Sequence, residues 1–160
     1  IPLYLDSLFT IFVTAAVGLW GGIACALLSS FAINLASFVS LPFMLCHVCT
    51  ALFAHLTFIR YRKAGIYEKK PLPMDAFLWA GLWSGLSNAL LGNIISIQIF
   101  SSQTAPSVDI ITQGIFAVIP NLNFAASYSG TVTNITDKAI SAGVSFAAYR
   151  IFLHIFLSRR

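Results

Sequence analysis

The chain has 160 residues, of which 58% are hydrophobic and 9% charged, and its formal net charge is +4. A soluble domain carries about a quarter of its residues as charges, so this chain cannot clothe itself in solvated charge, and a lipid-facing exterior is expected. Its cations stand at helix ends, where they report topology and give no reason to expect nucleic-acid binding.

The mean hydropathy is +0.87. Six apolar segments of about 13 to 26 residues predict an all-α, polytopic transmembrane bundle, because one span needs roughly 20 residues. The short alternating segments of a β-barrel are absent. Cys25, Cys46 and Cys49 lie in apolar helical stretches, and an odd count there argues against a disulfide framework. The start has no n-region or cleavage site and is not a signal peptide. Residues 1–160 read as a single transmembrane domain. The abrupt opening at Ile1 and the ending at Arg159–Arg160 directly after a helix predict a fragment of a longer chain.

Tyr4 to Val17 reads as a short first helix. Gly18–Leu19–Trp20–Gly21–Gly22 reads as a tight turn, followed by a second helix over Ile23–Phe38. Gly22, Ala26 and Ser30 recur every four positions and allow another helix to approach closely. Leu41–Pro42 opens a third helix, with proline tolerated in its first turn, and this helix ends near Gly65. Arg60, Arg62, Lys63, Lys69 and Lys70 then form the densest basic cluster, so the Arg60–Lys70 loop is expected in the cytoplasm.

Asp75 reads as the N-cap or first-turn acid of a fourth helix that runs to Phe100. Its polar residues gather toward the far end. Ser101 to Asn134 contains no basic residue, which fits an outer location, and Ser107–Val118 predicts a short interfacial helix. Phe124–Val132, rich in Ala, Ser and Gly, has no firm assignment. Thr136 or Asp137 reads as the N-cap of a last helix, Asp137–Leu157, whose C-terminus is cytoplasmic. The sum is five spans, six if one precedes Ile1, plus the short outer helix.

Polar side chains inside a membrane are costly and tend to face an interior or a cavity. With this topology Tyr4, Asp6, Asn34, His47, Asn88, Asn93, Asn123 and Asp137 fall toward the outer side, and amides with one or two charges there suit a small polar solute. The plainer reading is hydrogen bonding between helices without a ligand. Asp137–Lys138 is open in the same way: a cap and interface anchor, or contacts to a charged ligand group. Cys46-His47-Val48-Cys49 sits on one helical turn, with poor geometry for a metal and no second ligand cluster. The five acids form no catalytic pair, and no nucleophile–base arrangement or phosphate loop is present. Neither an enzyme nor a cofactor is expected.

Pro2-Leu3-Tyr4-Leu5-Asp6-Ser7-Leu8 and Thr10, a helix ending in Gly18-Leu19-Trp20-Gly21-Gly22, and a helix carrying Asn34 together resemble the second and third helices of the S components of energy-coupling-factor (ECF) vitamin transporters. Asp137-Lys138-Ala139-Ile140-Ser141 resembles the start of their sixth helix. The family usually has six helices and Gly-Pro at the tight turn, where this chain has Gly18-Leu19. The resemblance implies a bacterial plasma-membrane subunit that captures a micronutrient from outside. It would topple in the lipid and work with a transmembrane scaffold protein and two cytoplasmic ATPases. It implies a docking face at Ala15, Gly18, Gly22 and Ala26, and ligand contacts at Tyr4, Asp6, His47, Asn88, Asn93, Asn123 and Asp137. A rival expectation is the membrane input domain of a signalling protein, with a cytoplasmic kinase or phosphatase beyond Arg160. A secondary transporter should show inverted repeats, and none is visible.

Overall fold

The structure, a computed structural model, describes Leu5 and residues 7–36, 38–63, 70–102 and 106–157. Among these residues the regular structure is all helix: α1 (Leu8–Val17), α2 (Leu19–Ala36), a 3₁₀ segment (Phe38–Phe43), α3 (Met44–Lys63), α4 (Met74–Phe100), α5 (Pro106–Phe116) and α6 (Leu122–Leu157). Tyr4 and Asp6 lie outside the described residues.

The α1–α2 turn is tighter than the sequence predicts. Gly18 alone makes it, with φ of +103°, a conformation that side chains rarely adopt. Its N–H donates to Thr14 O at 3.0 Å, and Gly21 and Gly22 are already helical. Arg62 reaches across from α3 and donates to Ala15 O at 3.0 Å, satisfying a carbonyl that the end of α1 leaves open.

Packed helices run both antiparallel and parallel. Asn88 bonds Thr50, and Tyr61 bonds Asp75, so α3 and α4 are antiparallel. Asn93 meets Thr131 and Gly81 meets Ala142, so α4 and α6 are antiparallel. Leu8 pairs with Ser145 and Phe12 with Phe152, so α1 runs parallel to α6. α2 packs on α1 and α3, and α5 packs on α6. The end of the bundle that holds Arg62 and Asp75 is called the basic end below.

Burial is inverted relative to a water-soluble fold. Most buried apolar residues are alanines, and they share the interior with as many serines, threonines and other polar residues. Large apolar side chains point outward instead: Val17, Trp20, Leu28, Leu35, Leu90 and Ile151 are 61–80% exposed. A soluble monomer does not normally leave so continuous an apolar surface uncovered.

Two stretches are long and apolar enough to cross a membrane, Leu41–Lys63 and Leu122–Phe156. Leu8–Val17 and Leu19–Leu35 are apolar but shorter. α4 has the length, but Ser84, Ser87, Asn88, Asn93, Ser96 and Gln98 dilute its apolar character. Five helices pack together, yet five independent spans are not established. The last helix also starts fifteen residues earlier than predicted, at Leu122 in place of Asp137. Its extra turns lack an apolar stripe. Their polar side chains turn inward on the helix: Thr131 Oγ1 donates to Ser127 O at 2.7 Å and Asn134 Nδ2 to Gly130 O at 2.8 Å. Polar groups tied up in this way sit inside a helix without breaking it. At α4 the first-turn acid is Asp75, as expected, but the capping position belongs to Pro73.

The small-residue face predicted for docking is largely consumed by the chain itself. Ala15 and Ala26 are buried at 1% and 0% exposure. Gly22 lies against the Thr14 side chain and Ala51, so close that a Cβ there would collide with Thr14 Oγ1. Gly18, at the turn, has open space beside it. Ala15, Gly22 and Ala26 therefore serve internal packing and are not presented to a second protein.

Candidate functional site: a buried polar layer

The site is built on one face of α6. Ser129, Thr133, Asp137, Ser141 and Ser145 follow each other at four-residue spacing, and all five are buried. Such spacing stacks side chains along one side of a helix. Asp137 is 1% exposed and Lys138 3%. Asp137 is thus an interior residue of a long helix, and the reading of Thr136 or Asp137 as an N-cap is overturned.

Both oxygens of the Asp137 carboxylate accept hydrogen bonds. The Leu5 backbone N–H donates to Oδ1 at 2.9 Å. Lys138 Nζ donates to Oδ2 at 2.9 Å, an ion pair sealed inside the bundle. Leu5 holds a φ of 50°, which is uncommon for a leucine. One step further along, Ser145 Oγ lies 2.7 Å from Leu8 O and 2.6 Å from Ser141 O. The chain just before α1 is therefore tied to α6 by polar contacts.

The adjacent face of α6, which carries Asn134, Lys138 and Ala142, meets α4 through glycines. A Cβ on Gly81 would lie 2.7 Å from Lys138 O, and one on Gly85 would lie 3.5 Å from Lys138 Cβ. Gly81 and Gly85 let the two backbones approach, which brings the Lys138 stem against α4. One turn beyond Gly85, Asn88 is 2% exposed. Its Nδ2 donates to Thr50 Oγ1 at 3.0 Å, and Thr50 Oγ1 in turn donates to Cys46 O at 3.0 Å. Because that hydroxyl proton is committed to Cys46, the group facing Thr50 must be the Asn88 NH₂. The Asn88 carbonyl oxygen then points the other way.

Several polar atoms in and around this layer have no partner among the described residues: Asn88 Oδ1, Thr133 Oγ1, Ser141 Oγ and, lower on α1, Thr10 Oγ1. Thr133 and Ser141 flank Asp137 by one turn on each side. A buried polar atom without a partner costs about 1–3 kcal/mol, so the layer carries unspent hydrogen-bonding capacity.

Of the residues singled out from sequence, Asp137 lies in this polar stripe and Asn88 is buried on α4 one turn from the Gly85–Lys138 approach, while His47 is buried on α3 one turn before Thr50. Asn34, Asn93 and Asn123 do not join it. Asn34 Nδ2 donates back to Ser30 O at 2.7 Å on its own helix. Asn93 clamps α4 to α6, donating to Ser127 O at 3.0 Å and Thr131 Oγ1 at 3.1 Å, and its Oδ1 presses on Gly130. Asn123 is exposed and accepts from Ser102 Oγ at 2.9 Å. Tyr4 and Asp6 fall outside the described residues. Sequence reasoning passed over Thr50, Ser84, Ser141, Gly81 and Gly85. The Gly81–Gly85 spacing on an apolar helix was the signal that could have located the α4–α6 contact.

Among the described residues no group of three or more His, Cys, Asp or Glu side chains could hold a metal ion, and Cys25, Cys46 and Cys49 form no disulfide. No family model, curated protein or solved structure matches this chain.

Proposed function

We propose that this chain is a membrane-embedded binding subunit for a small polar solute, a vitamin or related micronutrient, without catalytic activity of its own. It would act as S components do, passing the solute to a separate transmembrane scaffold driven by cytoplasmic ATPases. The observation that carries this reading is the Asp137–Lys138 pair, sealed in a bundle whose outer surface is apolar. Charges at membrane depth are expensive, and a pair held there marks a solute path or site more often than a structural strut. The inverted burial supports lipid as the surrounding solvent, and the exposed Trp20, near the basic end, suits an interface. Arg60, Arg62, Lys63 and Lys70 at one end support its placement in the cytoplasm of a plasma-membrane protein.

Native mass spectrometry of protein purified in mild detergent tests the reading. A retained small molecule that is lost in Asp137→Ala is the expected result. A well-folded preparation that carries none, and takes none up from a metabolite extract, overturns it. Orientation is tested separately with Lys70→Cys in a background without Cys25, Cys46 and Cys49. Labelling by an impermeant reagent from outside intact cells would reverse the topology.

A further inference from the structure

We infer that the basic end of the bundle is a docking surface for anionic phospholipid, with Arg60 on α3 and Arg150 on α6 as its main contacts to the headgroup phosphate. This goes beyond the solute-binding reading and needs only lipid around the bundle. The charge argument comes first. Among the described residues, the exposed cations at this end are Arg60, Arg62, Lys63, Lys70 and Arg150, and the one acid is Asp75. Arg62 is drawn to Ala15 O at 3.0 Å, and Asp75 accepts from the Tyr61 hydroxyl at 2.8 Å. Arg60, Lys63, Lys70 and Arg150 form no ion pair with a described carboxylate. Four cations without a protein counterion, on a bundle whose exterior is apolar, need anions from outside. The headgroup layer of a membrane supplies phosphates at that depth.

The level of the two arginines follows from the packing. Phe77 on α4 lies 4.9 Å from the Phe58 ring and 5.4 Å from that of Tyr149. Arg60 is two positions past Phe58, and Arg150 one past Tyr149, on helices that both run toward the basic end. At about 1.5 Å per residue, both stand within about 3 Å of the Phe77 level. α4 packs on both α3 and α6, which do not touch each other among the described residues. On α4, Trp79 and Trp83 lie about 3 and 9 Å to the other side of that level. Their rings stack at 6.4 Å and are 48% and 46% exposed. Arg150 is set in an apolar surface: Ile151, Ile155 and Phe156 are exposed on the same helix, and its guanidinium carbon lies 6.0 Å from the Phe146 ring centre. Long cationic stems on such a surface carry their charge up to the headgroups, while tryptophans mark the boundary below. A guanidinium also grips two phosphate oxygens at once, which an ammonium does not. Zwitterionic lipid brings its own ammonium and no net charge, so anionic lipid is the matching occupant.

The test is a competition between lipids. Detergent-purified protein is mixed with equal amounts of phosphatidylglycerol and phosphatidylcholine of the same acyl chains, at fixed ionic strength, and retained lipid is counted by native mass spectrometry. The wild type should retain phosphatidylglycerol over phosphatidylcholine by about tenfold or more, and the preference should shrink as salt rises. Arg60→Gln combined with Arg150→Gln should cut that preference about fivefold or more, and Lys63→Gln combined with Lys70→Gln should cut it less. Equal retention of the two lipids by the wild type overturns the inference and leaves the patch to an acidic protein surface. A preference that survives the loss of both arginines overturns their assignment as the main contacts. Inorganic phosphate that displaces phosphatidylglycerol at equal ionic strength overturns lipid as the ligand. The wild-type comparison needs no variant to fold, and it reads the same whether or not a solute binds elsewhere in the bundle.

Discussion

The two ends of the interior are built on opposite principles. Toward the basic end Ile11, Ala15, Phe58, Phe77, Ala142 and Tyr149 form a dry cluster. Phe77, wholly buried, lies 4.9 Å from the Phe58 ring and 5.4 Å from that of Tyr149. Its side chains meet through apolar and ring contacts. A few turns away, around Asp137, the interior holds a charge pair, an amide and hydroxyls, some of them without partners. The first region holds the helices together. The second costs stability and persists in the same fold, which is the pattern of a site kept for function.

That contrast can be broken most forcefully at its centre. Phe77→Ala opens a cavity among rings and should destabilise by about 3–5 kcal/mol, read as a lowered midpoint in thermal or denaturant unfolding in detergent. A loss under about 1 kcal/mol would mean that the cluster is not tightly packed. Asp137→Ala removes one partner and leaves the Lys138 ammonium buried, at about 3 kcal/mol or more. Adding Lys138→Met should recover most of that loss, and a double variant no better than the single one would deny the pair its energetic coupling. Gly81→Val drives a side chain into the Lys138 carbonyl and Ala142, and parting α4 from α6 should cost about 1–3 kcal/mol.

The smallest expected effect sharpens the contrast most. Ser141→Ala deletes a buried hydroxyl without a partner and leaves the volume almost unchanged. Stability should stay level or rise by up to about 1 kcal/mol, while solute retention falls. In the apolar cluster no truncation should stabilise. If Ser141→Ala destabilises as an apolar truncation does, the hydroxyl is a structural group and the two regions are alike.

How much of the site was legible depended on what reveals each residue. Asp137 and Lys138 stand out as charges beside an apolar run, so sequence alone could nominate them. Their setting was misjudged, because Phe124–Val132, rich in Ala, Ser and Gly, gives no firm assignment. Thr131 and Asn134 bond back within the helix, and Gly130 makes room for Asn93. The amides were equally visible in the sequence, but whether an amide faces a neighbour or a site is a matter of helix rotation. Asn93 clamps α4 to α6 and Asn88 binds α3, although they are five positions apart on one helix.

Composition by itself determined that the chain is helical, that its exterior is apolar and that charge is scarce enough to be informative, since those properties sum over residues and need no partners. Only the tertiary arrangement decided that α6 runs unbroken past Asp137, that Ala15, Gly22 and Ala26 are spent on internal packing, and that an amide on α4 and hydroxyls on α6 are buried. These depend on which faces of distant helices meet, and close approach at Gly81 and Gly85 is a property of two backbones together.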